Sequence, residues 1–73
     1  MVKEKVTIED LEKFAVGEQK VFVMPNWEKA RSAASLASQM KNRENTYGWQ
    51  FKAPISQAIE GTMQRTVTIT RVA

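Results

Sequence analysis

Apolar positions recur along this chain with two different periods, and the changes of period mark its elements. Ile8, Leu11, Phe14 and Ala15 fall at i, i+3, i+6 and i+7, a stripe down one side of a helix. Thr7 stands before the stripe as an N-cap. Asp10 follows three residues later in a variant of the capping box, and Glu9 complements the positive helix end. Gly17 supplies a stop. The spacing predicts a short helix over 8–15. Glu18 to Met24 holds the strand formers Val21, Phe22 and Val23, and Pro25 ends that strand.

Asn26 then caps a second helix, predicted from Trp27 to Asn42 or Glu44. Ala30, Ala33, Ala34, Leu36, Ala37 and Met40 favour it intrinsically. Trp27, Ala30, Ala34, Ala37 and Met40 form its apolar stripe. Because most of that stripe is alanine, the helix can approach a sheet closely. Asn45, Thr46 and Gly48 break it.

Beyond Gly48 the period falls to two. Trp49, Phe51, Ala53 and Ile55 alternate with Gln50, Lys52 and Pro54, which predicts a strand with one apolar face. Pro54 assigns it to an edge or a bulge. A polar connection from Ser56 to Gln64 has Glu60-Gly61 at its tip. In the last strand, Arg65 to Val72, Val67 and Ile69 face one way and Thr66, Thr68 and Thr70 the other. These two strands form an antiparallel hairpin. Trp49 and Phe51 share a face with Val67 and Ile69 only if paired residue numbers sum to an even value. A two-residue Glu60-Gly61 turn gives an odd sum, so the loop needs three or five residues, or a bulge.

The expected fold is a single small α+β domain over 1–73, in the order α-β-α-β-β. The longer helix packs on a small antiparallel sheet that ends in a C-terminal hairpin. A winged-helix arrangement is the alternative: the element order fits, with 57–64 as the wing. That fold requires two helices between its first two strands, and no Gly or Pro interrupts Trp27 to Asn42. The expected core is Phe14, Val21, Val23, Trp27, Met40, Trp49, Phe51, Ile55, Val67 and Ile69.

Composition narrows the function. The 73 residues contain no Cys and no His. Disulfides, thiolate or ordinary zinc sites and histidine-activated nucleophiles are therefore unavailable. After residue 28 the only carboxylates are Glu44 and Glu60, and nothing pairs them. Gly17, Gly48 and Gly61 are isolated, so no phosphate-cradling loop can be built. The expectation is a protein that is not an enzyme and has no metal and no cofactor. The opening residues lack an apolar targeting segment, and no run approaches the ~20 apolar residues of a membrane span. A cytoplasmic location in a reducing compartment is expected, with no membrane partner. A chain this small has a total stability of roughly 4–11 kcal/mol, which oligomerisation can raise.

The formal charge of +3 is unevenly divided. Residues 1–28 carry four lysines against six carboxylates. Residues 29–73 carry seven Lys and Arg against two glutamates. A basic module thus follows an acidic lead-in, which points to a polyanionic partner. Arg31, Ser35, Ser38 and Asn42 line one side of the second helix, flanked by Ser32, Gln39 and Arg43. Arg with short hydrogen-bonding side chains suits phosphate and base-edge contacts. Lys41, Lys52, Arg65 and Arg71 extend this surface onto the hairpin. Tyr47, Trp49 and Phe51 offer stacking faces for single-stranded bases, but Trp49 and Phe51 are required in the core.

Several short segments carry a resemblance. They are Thr7-Ile8-Glu9-Asp10-Leu11, Val16-Gly17-Glu18, Arg31-Ser32-Ala33-Ala34-Ser35, Gly48-Trp49-Gln50-Phe51-Lys52 and Val67-Thr68-Ile69-Thr70-Arg71-Val72. In these the chain resembles small uncharacterised proteins encoded by tailed bacteriophages. The resemblance implies an accessory factor made inside a bacterial cell. Two readings follow. One is a nucleic-acid-binding accessory protein. The other is a protein-interaction module that modulates a host or phage enzyme or builds a homo-oligomer, with Arg65 to Val72 as an edge open to β-addition.

Overall fold

The computed structural model describes residues 5–73. Helix α1 spans Ile8–Glu12, strand β1 Gln19–Met24 and helix α2 Trp27–Gln39. Two single 3-10 turns follow, Met40–Asn42 and Glu44–Thr46, and then strands β2, Phe51–Lys52, and β3, Arg65–Arg71. The strands form one antiparallel sheet in the order β1-β3-β2, with α2 against one face. The α-β-α-β-β order, the single α-helix between β1 and β2 and the C-terminal hairpin are those expected. The two helices that a winged helix needs in this interval are not both present: two 3-10 turns stand where the second would be.

Local chemistry explains the element boundaries. The Thr7 hydroxyl accepts from the Asp10 N–H at 3.2 Å, and the Asp10 carboxylate accepts from the Thr7 N–H at 2.9 Å, which completes the capping box. α1 is shorter than the apolar stripe suggests and leaves Phe14 in the connection beyond it. Gly17 serves a turn rather than the helix end. The Glu18 N–H donates to the Ala15 carbonyl at 2.9 Å, and Gly17 supplies the positive φ, +86°, inside that turn. The Asn26 side chain caps α2 by accepting from the Lys29 N–H at 2.9 Å. α2 ends at Gln39, three residues before the earliest expected end, because the chain tightens into the Met40–Asn42 turn. The buried Thr46 hydroxyl then donates to the Met40 carbonyl at 2.6 Å and satisfies an acceptor left over at the helix end.

β2 is brief for a reason legible at Pro54. Thr68 donates to the Pro54 carbonyl at 3.1 Å, but proline has no N–H to return the bond. Pairing resumes only as an isolated bridge between Ile55 and Val67. Phe51 pairs with Arg71 and Lys52 with Thr70, so paired numbers sum to an even value as required. Phe51, Ala53 and Ile55 therefore face α2 together with Val67 and Ile69.

β3 is the central strand, hydrogen-bonded on both sides. It is not the open edge suggested by its position near the end of the chain. The outer strands are β1 and β2.

The core is built from Val6, Leu11, Phe14, Met24, Ala30, Ala33, Ala37, Met40, Val67 and Ile69, with Phe22, Phe51 and Ile55 packed against it. Four expected core members, Val21, Val23, Trp27 and Trp49, are displaced. Phe22 pairs with Val67 and Met24 with Arg65, so the even-numbered residues of β1 face α2. Val21 and Val23 turn to the opposite face, and Val21 is 56% exposed. The slip is one of phase: a single-residue shift sends every side chain of a strand to the other side. Trp27, at the first turn of α2, is 46% exposed and lies beside Arg65 instead of entering the core. Trp49 is half-buried. The inward stripe of α2 runs Ala30, Ala33, Ala37, Met40, with Ala34 at its margin.

A distinct energetic signature follows from these faces. Ala37→Leu forces bulk between α2 and the sheet and is expected to cost ~1–3 kcal/mol. Val21→Thr, on the open face, should stay within about 0.5 kcal/mol of wild type. Urea unfolding followed by circular dichroism checks both, and the opposite ranking would overturn the assigned faces.

Candidate nucleic-acid interface

α2 presents its polar side away from the sheet because its alanine side is pressed against β3. Arg31, Ser35 and Ser38 are all exposed there. Arg31 and Ser35 line a shallow open groove of about 560 Å³ with Glu28, Ser32, Leu36 and Gln39. Ser38 belongs to a second concavity of about 230 Å³, shared with Lys41, Trp49, Gln50 and Phe51. The expected row is therefore present on one helix face, but it feeds two hollows.

Lys41, Asn42 and Arg43 are also exposed, in and just after the first 3-10 turn. This segment is held from inside. Besides the Thr46 anchor, the Gly48 N–H donates to the Lys41 carbonyl at 3.0 Å, and the Thr46 N–H donates to the Arg43 carbonyl at 3.2 Å. The backbone is thus pinned while the Lys41 and Arg43 side chains extend into solvent. Tyr47, 79% exposed, stands next to them.

The hairpin cations do not join this surface. Lys52 pairs with Thr70 on the sheet face opposite α2, so the thickness of the sheet separates it from Arg31 and Ser35. Arg65 is committed locally. Its guanidinium lies 4.8 Å from the centre of the Trp27 ring and donates to the Ser56 carbonyl at 3.3 Å.

Arg71 is committed further still. It sits on the inner face, beside Phe51, with its guanidinium 3.4 Å from the centre of the Trp49 ring. It donates to the Phe14 carbonyl at 2.9 Å and to the Ala73 carbonyl at 3.0 Å. Phe14 in turn meets Phe51 edge-on, with ring centres 5.6 Å apart at 81°. Arg71 thus ties together the α1–β1 connection, the Trp49 region and the end of the chain. Sequence reasoning counted it as a free cation. The available signal was its phase: with Val67 and Ile69 inward, residue 71 falls on the same face.

Of the expected residues, the structure leaves Arg31, Ser35, Ser38, Lys41, Asn42 and Arg43 exposed along α2 and the turn after it. It removes Lys52, Arg65 and Arg71. Among the described residues no three His, Cys, Asp or Glu side chains gather into a group able to hold a metal ion. Among them, too, no helix is long and apolar enough to cross a membrane. No known family, curated protein or solved structure matches the chain.

The role of Arg71 has a direct check. Arg71→Ala removes a part-buried charge-assisted hydrogen bond to the Phe14 carbonyl, with an exposed one to Ala73, and is expected to cost ~1.5–3 kcal/mol. Tryptophan fluorescence should shift as the guanidinium leaves Trp49. Lys52→Ala should leave both urea midpoint and fluorescence unchanged. An Arg71→Ala protein as stable as wild type would return Arg71 to the pool of free surface cations.

Proposed function

We propose that the chain is a non-enzymatic nucleic-acid-binding accessory protein whose contact surface is the outward side of α2 and the 3-10 turn after it. Support comes from one observation above others: Arg31, Ser35, Ser38, Lys41, Asn42 and Arg43 are all exposed on α2 and the hydrogen-bonded turn after it. Arg31, Lys41 and Arg43 serve as phosphate contacts; Ser35, Ser38 and Asn42 supply short donors and acceptors. The resemblance to small phage-encoded proteins fits a factor acting in the cytoplasm of a bacterial host.

Fluorescence anisotropy with a labelled duplex and a labelled single strand, each at low and at near-physiological salt, tests this reading. Binding should be clear at low salt and weaken steeply as salt rises, with a logarithmic slope of about −0.9 per phosphate contacted on duplex DNA. Arg31→Ala, Lys41→Ala and Arg43→Ala should each reduce affinity and shallow that slope by roughly one contact. Lys52→Ala should do neither. Absence of binding at low salt overturns the proposal.

A further inference from the structure

β1 is bonded along one edge only: β3 occupies that edge, and among the described residues no strand pairs with the other. The ladder fixes which backbone groups are left over. The Arg71 N–H donates to the Glu18 carbonyl at 3.0 Å, so the bonded pairs continue through Lys20–Ile69, Phe22–Val67 and Met24–Arg65. On its other side β3 uses its even-numbered residues: Thr68 donates to Pro54, and Thr66 accepts from Ser56. The N–H and C=O groups of Gln19, Val21 and Val23 therefore point out of the free edge.

Natural edge strands are usually blunted by an outward charge, a proline or a bulge. A bulge at Gly17–Glu18, opposite Arg71, and Pro25 flank this edge, but neither lies within Gln19–Val23. Val21 is among the most exposed large apolar side chains, and the strand's one lysine, Lys20, is drawn inward over the Phe14 ring at 4.9 Å and paired with Glu18 at 3.8 Å.

We infer that this edge is a homodimer seam, on which β1 of a second copy pairs antiparallel about a two-fold axis through Val21. The choice of a second copy rests on self-complementarity. Centred on Val21, Gln19 meets Val23 of the partner subunit, Val21 meets its own counterpart, and every outward-pointing group of all three residues is satisfied. Neighbouring registers fail. Centring on Lys20 sets Val23 against Gly17, whose N–H is already given to the Arg71 carbonyl at 2.7 Å. Centring on Phe22 sets Gln19 against Pro25, which has no N–H.

The Val21 register also brings the 15–18 turn of one copy beside the Pro25–Trp27 corner of the other. Val16 and Trp27, both exposed in the single chain, then lie along the seam. The axis runs through the sheet, so both α2 helices lie on the same side of a continuous six-stranded sheet. The seam does not depend on the nucleic-acid reading, although it doubles the strip which that reading uses.

The test is made on the full chain without nucleic acid, so its failure is separable from a failure of nucleic-acid binding. Light scattering after size exclusion, from low micromolar to several hundred micromolar, should show the mass rising from 8.3 kDa to twice that value. Val21→Pro removes an outward N–H without touching the β3 ladder, and Val21→Lys sets two ammonium groups at the axis. Both variants should remain monomeric with wild-type circular dichroism. Hydrogen exchange should show the Gln19, Val21 and Val23 amides protected in concentrated wild type and fast in Val21→Lys. A wild-type chain that is monomeric throughout overturns the seam and leaves the edge to a foreign strand. A dimer that survives Val21→Lys with these amides unprotected also overturns it. If Val21→Pro fails to fold, Val21→Lys and the exchange pattern still decide.

Discussion

The alternation of β3 is the constraint on which the other elements depend. Val67, Ile69 and Arg71 turn toward α2, while Thr66, Thr68 and Thr70 turn away. The same alternation divides its backbone, with odd-numbered residues bonded to β1 and even-numbered ones to β2. Both outer strands are therefore located by one seven-residue segment. α2 can lie close over that segment because Ala30, Ala33 and Ala37 offer almost no bulk, and Met40 closes the end of the layer. A larger residue in the alanine stripe lifts the helix from Val67 and Ile69, and a shift in β3 moves both neighbouring strands at once.

A chain of this size has too little interior to bury all of its aromatic rings, and cations cover what remains. Lys20 lies over Phe14, Arg65 over Trp27 and Arg71 over Trp49, with nitrogens or guanidinium carbons 3.4–4.9 Å from the ring centres. Each cation keeps part of its charge solvated while its stem and the ring shield one another. The excess of basic residues after position 28 is thus partly structural. Counting charges along the chain overstates the electrostatic surface, because the count does not distinguish a cation laid on a tryptophan from one extended into solvent.

Where a sequence signal had one physical interpretation, it survived in the structure. The Thr7–Asp10 box, the Asn26 cap, the inward Val67 and Ile69, and the even pairing sum of the hairpin each had no competing solution. Val21-Phe22-Val23 is different, because three consecutive apolar residues satisfy either phase of a strand equally. Phase was decided from a distance, by Phe22 against Val67 and by Met24 filling the space beside α2. The same ambiguity concealed the edge. Nearness to the chain end suggested that β3 was open, whereas strand order depends on long-range pairing that no local pattern encodes. The candidate strip was legible where a helix carries it, since helical spacing alone aligns Arg31, Ser35 and Ser38. It was misread on the hairpin, where Lys52 needed knowledge of which sheet face α2 covers.

If the strip binds nucleic acid as proposed, the open edge and the strip bear on one another through salt-dependent binding. Counterion release contributes to log affinity in proportion to the phosphates neutralised. Under the proposed function, a single chain offers Arg31, Lys41 and Arg43, a footprint on the order of three phosphate contacts. The proposed antiparallel pairing at β1 would keep both strips on the same side of the sheet, so their contacts would add in log affinity and multiply in affinity. The second strip then acts at an effective concentration set by a rigid sheet, without the entropic loss of a flexible linker. Extending the sheet is thus the change that increases the footprint most without adding a residue. It uses an edge whose outward residues, Gln19, Val21 and Val23, carry no charge to oppose it.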